Sequence, residues 1–124
     1  IPDAMTISIQ PWDRTVIGAI EKAIINSNLG FAPSNNGENI ILNVPPLTEE
    51  RRRDLAKTAK SESESSKITI RNARQEGMKD LKKIENVSED LIKDAEAKIQ
   101  VLTDKYVKLC EDQLKVKEAE IMKV

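Results

Sequence analysis

Apolar and polar side chains alternate through Met5-Thr6-Ile7-Ser8-Ile9-Gln10, the two-residue period of a half-buried strand. Pro11-Trp12 ends that run. Asp13 then offers an N-cap, and Val16, Ile17, Ile20, Ala23 and Ile24 fall on one stripe of a helix that stops near Leu29-Gly30. The segment Pro33-Ser34-Asn35-Asn36-Gly37 is dense in turn formers, and Asn39-Ile40-Ile41-Leu42-Asn43-Val44 predicts a second strand. Two strands and one helix rarely hold a sheet alone, so partner strands are expected beyond these two.

The period changes at Pro45-Pro46. Neither proline donates a backbone hydrogen bond, and each restricts the residue before it, so Val44-Pro45-Pro46 reads as a stiff but bendable hinge. It divides residues 1–45, part of a small β/α/β domain, from residues 46–124, two long antiparallel helices. Thr48 can cap the first, whose opening turn holds Glu49 and Glu50, and nothing but Gly77 interrupts it before about Asn86. A turn at Asn86-Val87-Ser88 leads into a second helix running nearly to Val124. Its apolar seam, Ile92, Ala95, Ile99, Leu102, Tyr106, Leu109, Gln113 and Val116, follows a heptad. Leu114 and Ile121 widen the stripe beyond what one partner helix covers, so a third helix is expected, and these residues do not supply it. The fold class is therefore α+β, with two helices of a three-helix bundle beside a small β/α/β domain.

Composition agrees with an aliphatic helical protein: aromatic residues are 2% of the chain and charged residues 33%. The net charge of −1 argues against a nucleic-acid partner until its distribution is considered. Five of the six arginines (Arg51, Arg52, Arg53, Arg71, Arg74) lie in the first long helix, and the last helix uses only lysine. Arginine suits phosphate forks, whereas lysine on a helix face is usually a solubilising point charge. Arg53, Lys60, Lys67 and Arg74 stand seven residues apart, which at about 3.5 residues per turn predicts one straight row about 32 Å long. Arg71 and Arg52 flank it. Such a row could meet several RNA phosphates, with binding that falls steeply in salt. A solvated helix face is the plainer alternative, because Asp54, Glu62, Glu64 and Glu76 can pair with these cations along the helix.

Catalytic chemistry has no foothold. The chain has no His, which removes the commonest general base and metal ligand, and Cys110 has no partner for nucleophilic work. The four glycines are scattered rather than gathered in a phosphate loop. No catalytic residue, metal or cofactor is expected. Trp12 reads as core or a domain lid, and Tyr106 and Cys110 as packing. A lone cysteine fits a reducing compartment, and no apolar run is long enough to span a bilayer.

Several stretches resemble one family. Asn43-Val44-Pro45-Pro46-Leu47-Thr48-Glu49-Glu50-Arg51-Arg52-Arg53-Asp54-Leu55 is similar to the segment that re-enters the helical domain of ribosome recycling factors. So are Ile20-Glu21-Lys22-Ala23-Ile24, Arg71-Asn72-Ala73-Arg74, Val87-Ser88-Glu89-Asp90, Leu102-Thr103-Asp104 and the closing Lys117-Glu118-Ala119-Glu120-Ile121-Met122-Lys123-Val124.

The resemblance implies an L-shaped, monomeric, non-enzymatic translation factor of the cytoplasm, or of a mitochondrion or chloroplast. In that family the bundle lies on the intersubunit face of the large ribosomal subunit, touches its rRNA and, with elongation factor G and GTP, splits the post-termination ribosome. The first bundle helix and opening strands precede the position of Ile1 in the family order, so the chain reads as a fragment lacking both. Arg52, Arg71, Asn72 and Arg74 match the family's rRNA-contacting positions; with Arg53, Lys60 and Lys67 from the row they make the expected rRNA site. Gln75, where the family often has Arg, Gly77 in place of a helix former, Trp12 and a short turn before Ser88 are departures. A helical hairpin that recruits a protein partner without binding RNA is the competing reading.

Overall fold

The computed structural model describes residues 1–123. It divides into two compact units, Ile1–Leu47 and Thr48 onward. In the first, β1 (Thr6–Ile9) is followed by a single 3-10 turn, Arg14–Val16, and α1 (Ile17–Asn26), then β2 (Pro33–Asn35) and β3 (Ile40–Asn43). The second consists of α2 (Glu49–Lys83) and α3 (Glu89–Met122).

The three strands form an antiparallel sheet in the order β1-β3-β2, with Thr6 opposite Asn43 and Pro33 opposite Leu42. Asp13 caps as expected: its carboxylate accepts from the Thr15 N–H at 2.8 Å and the Thr15 hydroxyl at 2.7 Å. These bonds hold the Asp13 carboxyl below its ordinary range. The segment Pro33–Gly37, read from sequence as a turn, is corrected in part, because Pro33–Asn35 is strand β2. A proline is tolerated at the first residue of an edge strand, where it need not donate. The turn proper is Asn36-Gly37, with Gly37 at φ +87° and the Asn36 side chain accepting from the Glu38 and Asn39 N–H groups. Ile40 and Leu42, both on the central strand, are the buried hydrophobic side chains among the described residues. Trp12 is corrected too: it is fully exposed, neither core nor lid within this unit.

Both long helices begin on a hydroxyl cap. Thr48 Oγ1 accepts from the Arg51 N–H at 3.1 Å and Ser88 Oγ from the Leu91 N–H at 3.4 Å. Acidic pairs follow each cap, Glu49-Glu50 and Glu89-Asp90, and favour the positive end of the helix dipole. Asn86 turns the chain between them in the left-handed region at φ +60°, which asparagine tolerates.

The two helices meet through small and medium side chains. On α2 these are Ala56, Ala59, Ser63, Ile70, Gly77 and Leu81; on α3, Ile92, Ile99, Thr103, Val107, Cys110, Leu114 and Ile121. The predicted α3 seam is thus split. Ile92 and Ile99 face α2, but Leu102, Tyr106, Leu109 and Val116 are 45–61% exposed. They lie about a quarter-turn round the helix, where Leu102 and Tyr106 line an open groove of about 380 Å³ with Ile70, Ala73, Gly77 and Ile99. The apolar stripe is therefore wider than α2 covers.

Replacing Thr48 by Ala removes the α2 cap and should lower stability by about 1 kcal/mol, read as a shift of the urea midpoint at unchanged slope. Thr48→Asp should keep most of that stability.

Candidate functional site

The cations singled out in the sequence all lie on α2, and the geometry of α2 decides which of them reach solvent. A straight α-helix drifts by about 20° for every seven-residue step, so three steps accumulate about 60°. The row Arg53, Lys60, Lys67, Arg74 follows that drift. Arg53 and Lys60 are exposed, Lys67 is only 8% exposed, and Arg74 is half-buried against α3. The expectation of one straight solvent-facing row is corrected accordingly: it assumed a supercoiled period of 3.5, and the helix keeps its own.

Each residue then has a distinct place. Arg53 Nη2 pairs with Glu49 Oε1 one turn earlier at 2.5 Å, with both side chains well exposed. Lys60, Arg71 and Asn72 are exposed. Arg71 lies within electrostatic reach of Glu64. Arg74 Nη1 donates to Gln100 Oε1 of α3 at 3.3 Å, and Gln100 Nε2 donates in turn to Asp104 Oδ1 at 2.9 Å. Arg52 turns the other way round the helix. Its Nη1 donates to the carbonyl of Ile121 at 2.7 Å and to that of Lys123, satisfying acceptors that the end of α3 leaves open. Arg52 and Lys67 are thereby engaged inside the helical unit, whereas Arg53, Lys60, Arg71 and Asn72 look outward.

Lys67 is the buried charge of this unit. Its ammonium sits 2.9 Å from Glu64 Oε1 on its own helix and 3.3 Å from Glu111 Oε1 on α3. The hydrogen bond to Glu64 raises the Lys67 pKa, against the desolvation that lowers it, and Glu111 adds to the rise. The same hydrogen bond, followed by the lysine's charge, holds the Glu64 carboxyl below its ordinary range. Gln100 and Glu111, which complete this arrangement from α3, were not singled out in the sequence.

Val44, Pro45 and Pro46 fall at the end of the first unit, Ile1–Leu47, where the Val44 N–H donates to the Met5 carbonyl at 2.8 Å and extends the β1–β3 ladder. Among the described residues no group of three His, Cys, Asp or Glu side chains could hold a metal ion. No helix among them is long and apolar enough to cross a membrane.

A carboxyl whose pKa is lowered on folding stabilises the fold above its unfolded value and loses that effect as pH falls through the folded one. A raised lysine stabilises below its unfolded value and loses the effect as pH rises through the folded one. The Lys67–Glu64 pair therefore supports the fold at neutral pH and fades in strong acid and strong base. An NMR titration should find Glu64 below the ordinary 4.5, and Lys67→Met should move it upward. Identical midpoints in the two proteins would show that Lys67 does not govern it.

Comparison with known proteins gives a consistent result. The family model described as "Ribosome recycling factor" matches residues 1–122. The ribosome-recycling factor of Flavobacterium johnsoniae is 56% identical over 126 residues, covering 100% of this chain and 67% of its own length. That of Bacteroides thetaiotaomicron is 54% identical over 125 residues, covering 99% and 67%. A solution structure of a ribosome recycling factor superposes with a TM-score of 0.61 at 40% identity, covering 100% of this chain and 67% of that one. A second structure places the Thermus thermophilus factor and Escherichia coli elongation factor G on the E. coli post-termination complex. This chain matches it with a TM-score of 0.54 at 43% identity, covering 98% of this chain and 68% of that one.

Proposed function

The chain belongs to the ribosome recycling factor family, and from that premise we propose that it binds the large ribosomal subunit after termination through the outer flank of α2. Elongation factor G, hydrolysing GTP, then acts with it to split the ribosome for another round of initiation. The relative placed with elongation factor G on a post-termination complex supports this assignment of partners. On this reading the protein is a monomeric, non-catalytic factor of the bacterial cytoplasm that needs no cofactor of its own.

The observation that carries the reading is the exposed set on α2. Arg53, Lys60, Arg71 and Asn72 offer donors to phosphate oxygens, and Arg74 adds the guanidinium donors that Gln100 does not take. Phosphate contacts of this kind position a protein without reading sequence, which suits a factor that recognises one ribosomal surface. Pro45 and Pro46, with Val44 fixed to β1, are the proposed hinge that lets one unit turn while the other stays docked.

The open groove around Leu102 and Tyr106, with Leu109 exposed further along α3, favours a second reading, a hairpin that captures a protein helix. That version requires Leu102 and Leu109 for partner binding and tolerates loss of Arg71 and Arg74.

Arg71→Glu separates the two, because Arg71 is exposed and a change there leaves the packing of α2 on α3 alone. Its helicity should match the wild type, while its affinity for isolated large subunits falls at least tenfold. Arg71→Ala should make the slope of log affinity against log salt shallower by about one. Wild-type affinity in the Arg71→Glu variant would remove this face from the ribosome contact.

A further inference from the structure

The heptad of cations on α2 has a counterpart on α3. Asp104, Glu111 and Glu118 also stand seven residues apart. In an antiparallel pair, positions rise along one helix as they fall along the other, and the Lys67–Glu111 contact at 3.3 Å fixes the alignment. Stepping seven residues either way sets Lys60 opposite Glu118 and Arg74 opposite Asp104. The drift of about 20° per step turns the two rows in complementary directions. From Lys60 to Arg74 the cation moves in towards the α2–α3 contact, as its exposure shows. From Glu118, half-buried, to Asp104, exposed, the carboxylate moves out. At the Arg74 end the carboxylate has moved furthest, and there Gln100 bridges the gap, accepting from Arg74 and donating to Asp104.

The apolar contact alone does not choose a register. Val107, Leu114 and Ile121 repeat at seven, as do Ile92 and Ile99; α2 meets the first three mainly with Ala56, Ala59 and Ser63, while Ile70 and Leu81 lie nearer the turn, where Ile99 packs on Gly77. Small side chains against a repeating aliphatic stripe leave sliding cheap, and a buried polar position is a well-attested way to fix register in such pairs. A slip of one turn would part Lys67 from Glu111 and Arg74 from Gln100, whereas much of the apolar surface would stay covered.

We propose that the contacts Lys67–Glu111 and Arg74–Gln100–Asp104 form a charge zipper that sets the register of the α2–α3 hairpin, whose antiparallel direction the short turn between Lys83 and Glu89 dictates. Lys67 acts in it as a positioning residue and not as an RNA ligand. Arg53, one further step along, has Glu49 of its own helix as partner and is left at the surface. The zipper thus engages Lys67 and Arg74 across the pair, while Arg53 and Lys60 face outward. Only the binding of large subunits rests on the proposed function.

The test is a charge swap in the full-length protein: Lys67→Glu, Glu111→Lys and both together, with wild type. The swap keeps one ammonium among two carboxylates, since Glu64 remains. Spin labels at exposed Ser61 and Lys93, in a Cys110→Ser background, are offset along the axis, so a one-turn slip changes their separation by about 5 Å. Each single reversal should broaden or shift that distance and weaken folding. The swap should restore one narrow distance, with a coupling of about fivefold or more in the folding equilibrium. It should also bind large subunits with the wild-type salt slope. A swap no better than the worse single variant overturns the zipper. So does a swap that folds normally while its salt slope stays shallower by about one, because Lys67 would then be touching phosphate. If the single variants do not fold, swap against wild type decides alone. Failure of wild type itself to bind subunits would sink the proposed function and leave the distance result standing.

Discussion

The ammonium of Lys67, buried between α2 and α3 and shared by Glu64 and Glu111, is the point at which packing and charge in the helical unit constrain each other. A buried cation without partners is costly, and one with two carboxylates tolerates no displacement of either helix by as much as a turn. The surrounding side chains are small and aliphatic, well suited to close approach but poor at specifying position. Placing one charge among them makes an otherwise slippery contact definite.

The outward face follows from that constraint. With Lys67 held inward, the phase of α2 is set, and Arg53, Lys60, Arg71 and Asn72 turn towards solvent. Arg52 closes the end of α3 from the same helix by capping the carbonyls of Ile121 and Lys123. The groove lined by Leu102 and Tyr106 adjoins this flank, because Arg74 forms part of its wall. A chain of net charge −1 can in this way present several cations on one flank of α2.

The elements were legible wherever a single period governed them. The alternation in β1, the caps at Asp13, Thr48 and Ser88, and the long helices all follow from local rules, and the structure has each within a few residues. Strand β2 was not legible, since Pro33-Ser34-Asn35 has turn chemistry and becomes a strand only by pairing with β3. The cation row was visible as a spacing, but spacing alone does not say whether a helix is wound at 3.5 or 3.6 residues per turn. That small difference, accumulated over three heptads, separates exposed Arg53 from half-buried Arg74. The signal that would have corrected the reading was present in Asp104, Glu111 and Glu118, which carry the same spacing with opposite charge. Trp12 illustrates the converse, an indole whose exposure no local pattern foretells.

Directed hydroxyl-radical cleavage from an iron chelate tethered at Gln75, an exposed position beside Arg71 on the outer flank of α2, tests the central claim most directly. With the full-length protein bound to post-termination ribosomes, strong cuts in large-subunit rRNA are expected from this site and weak ones from a chelate at Lys108, exposed on α3. Cuts from Lys108 with none from Gln75 would contradict the assignment.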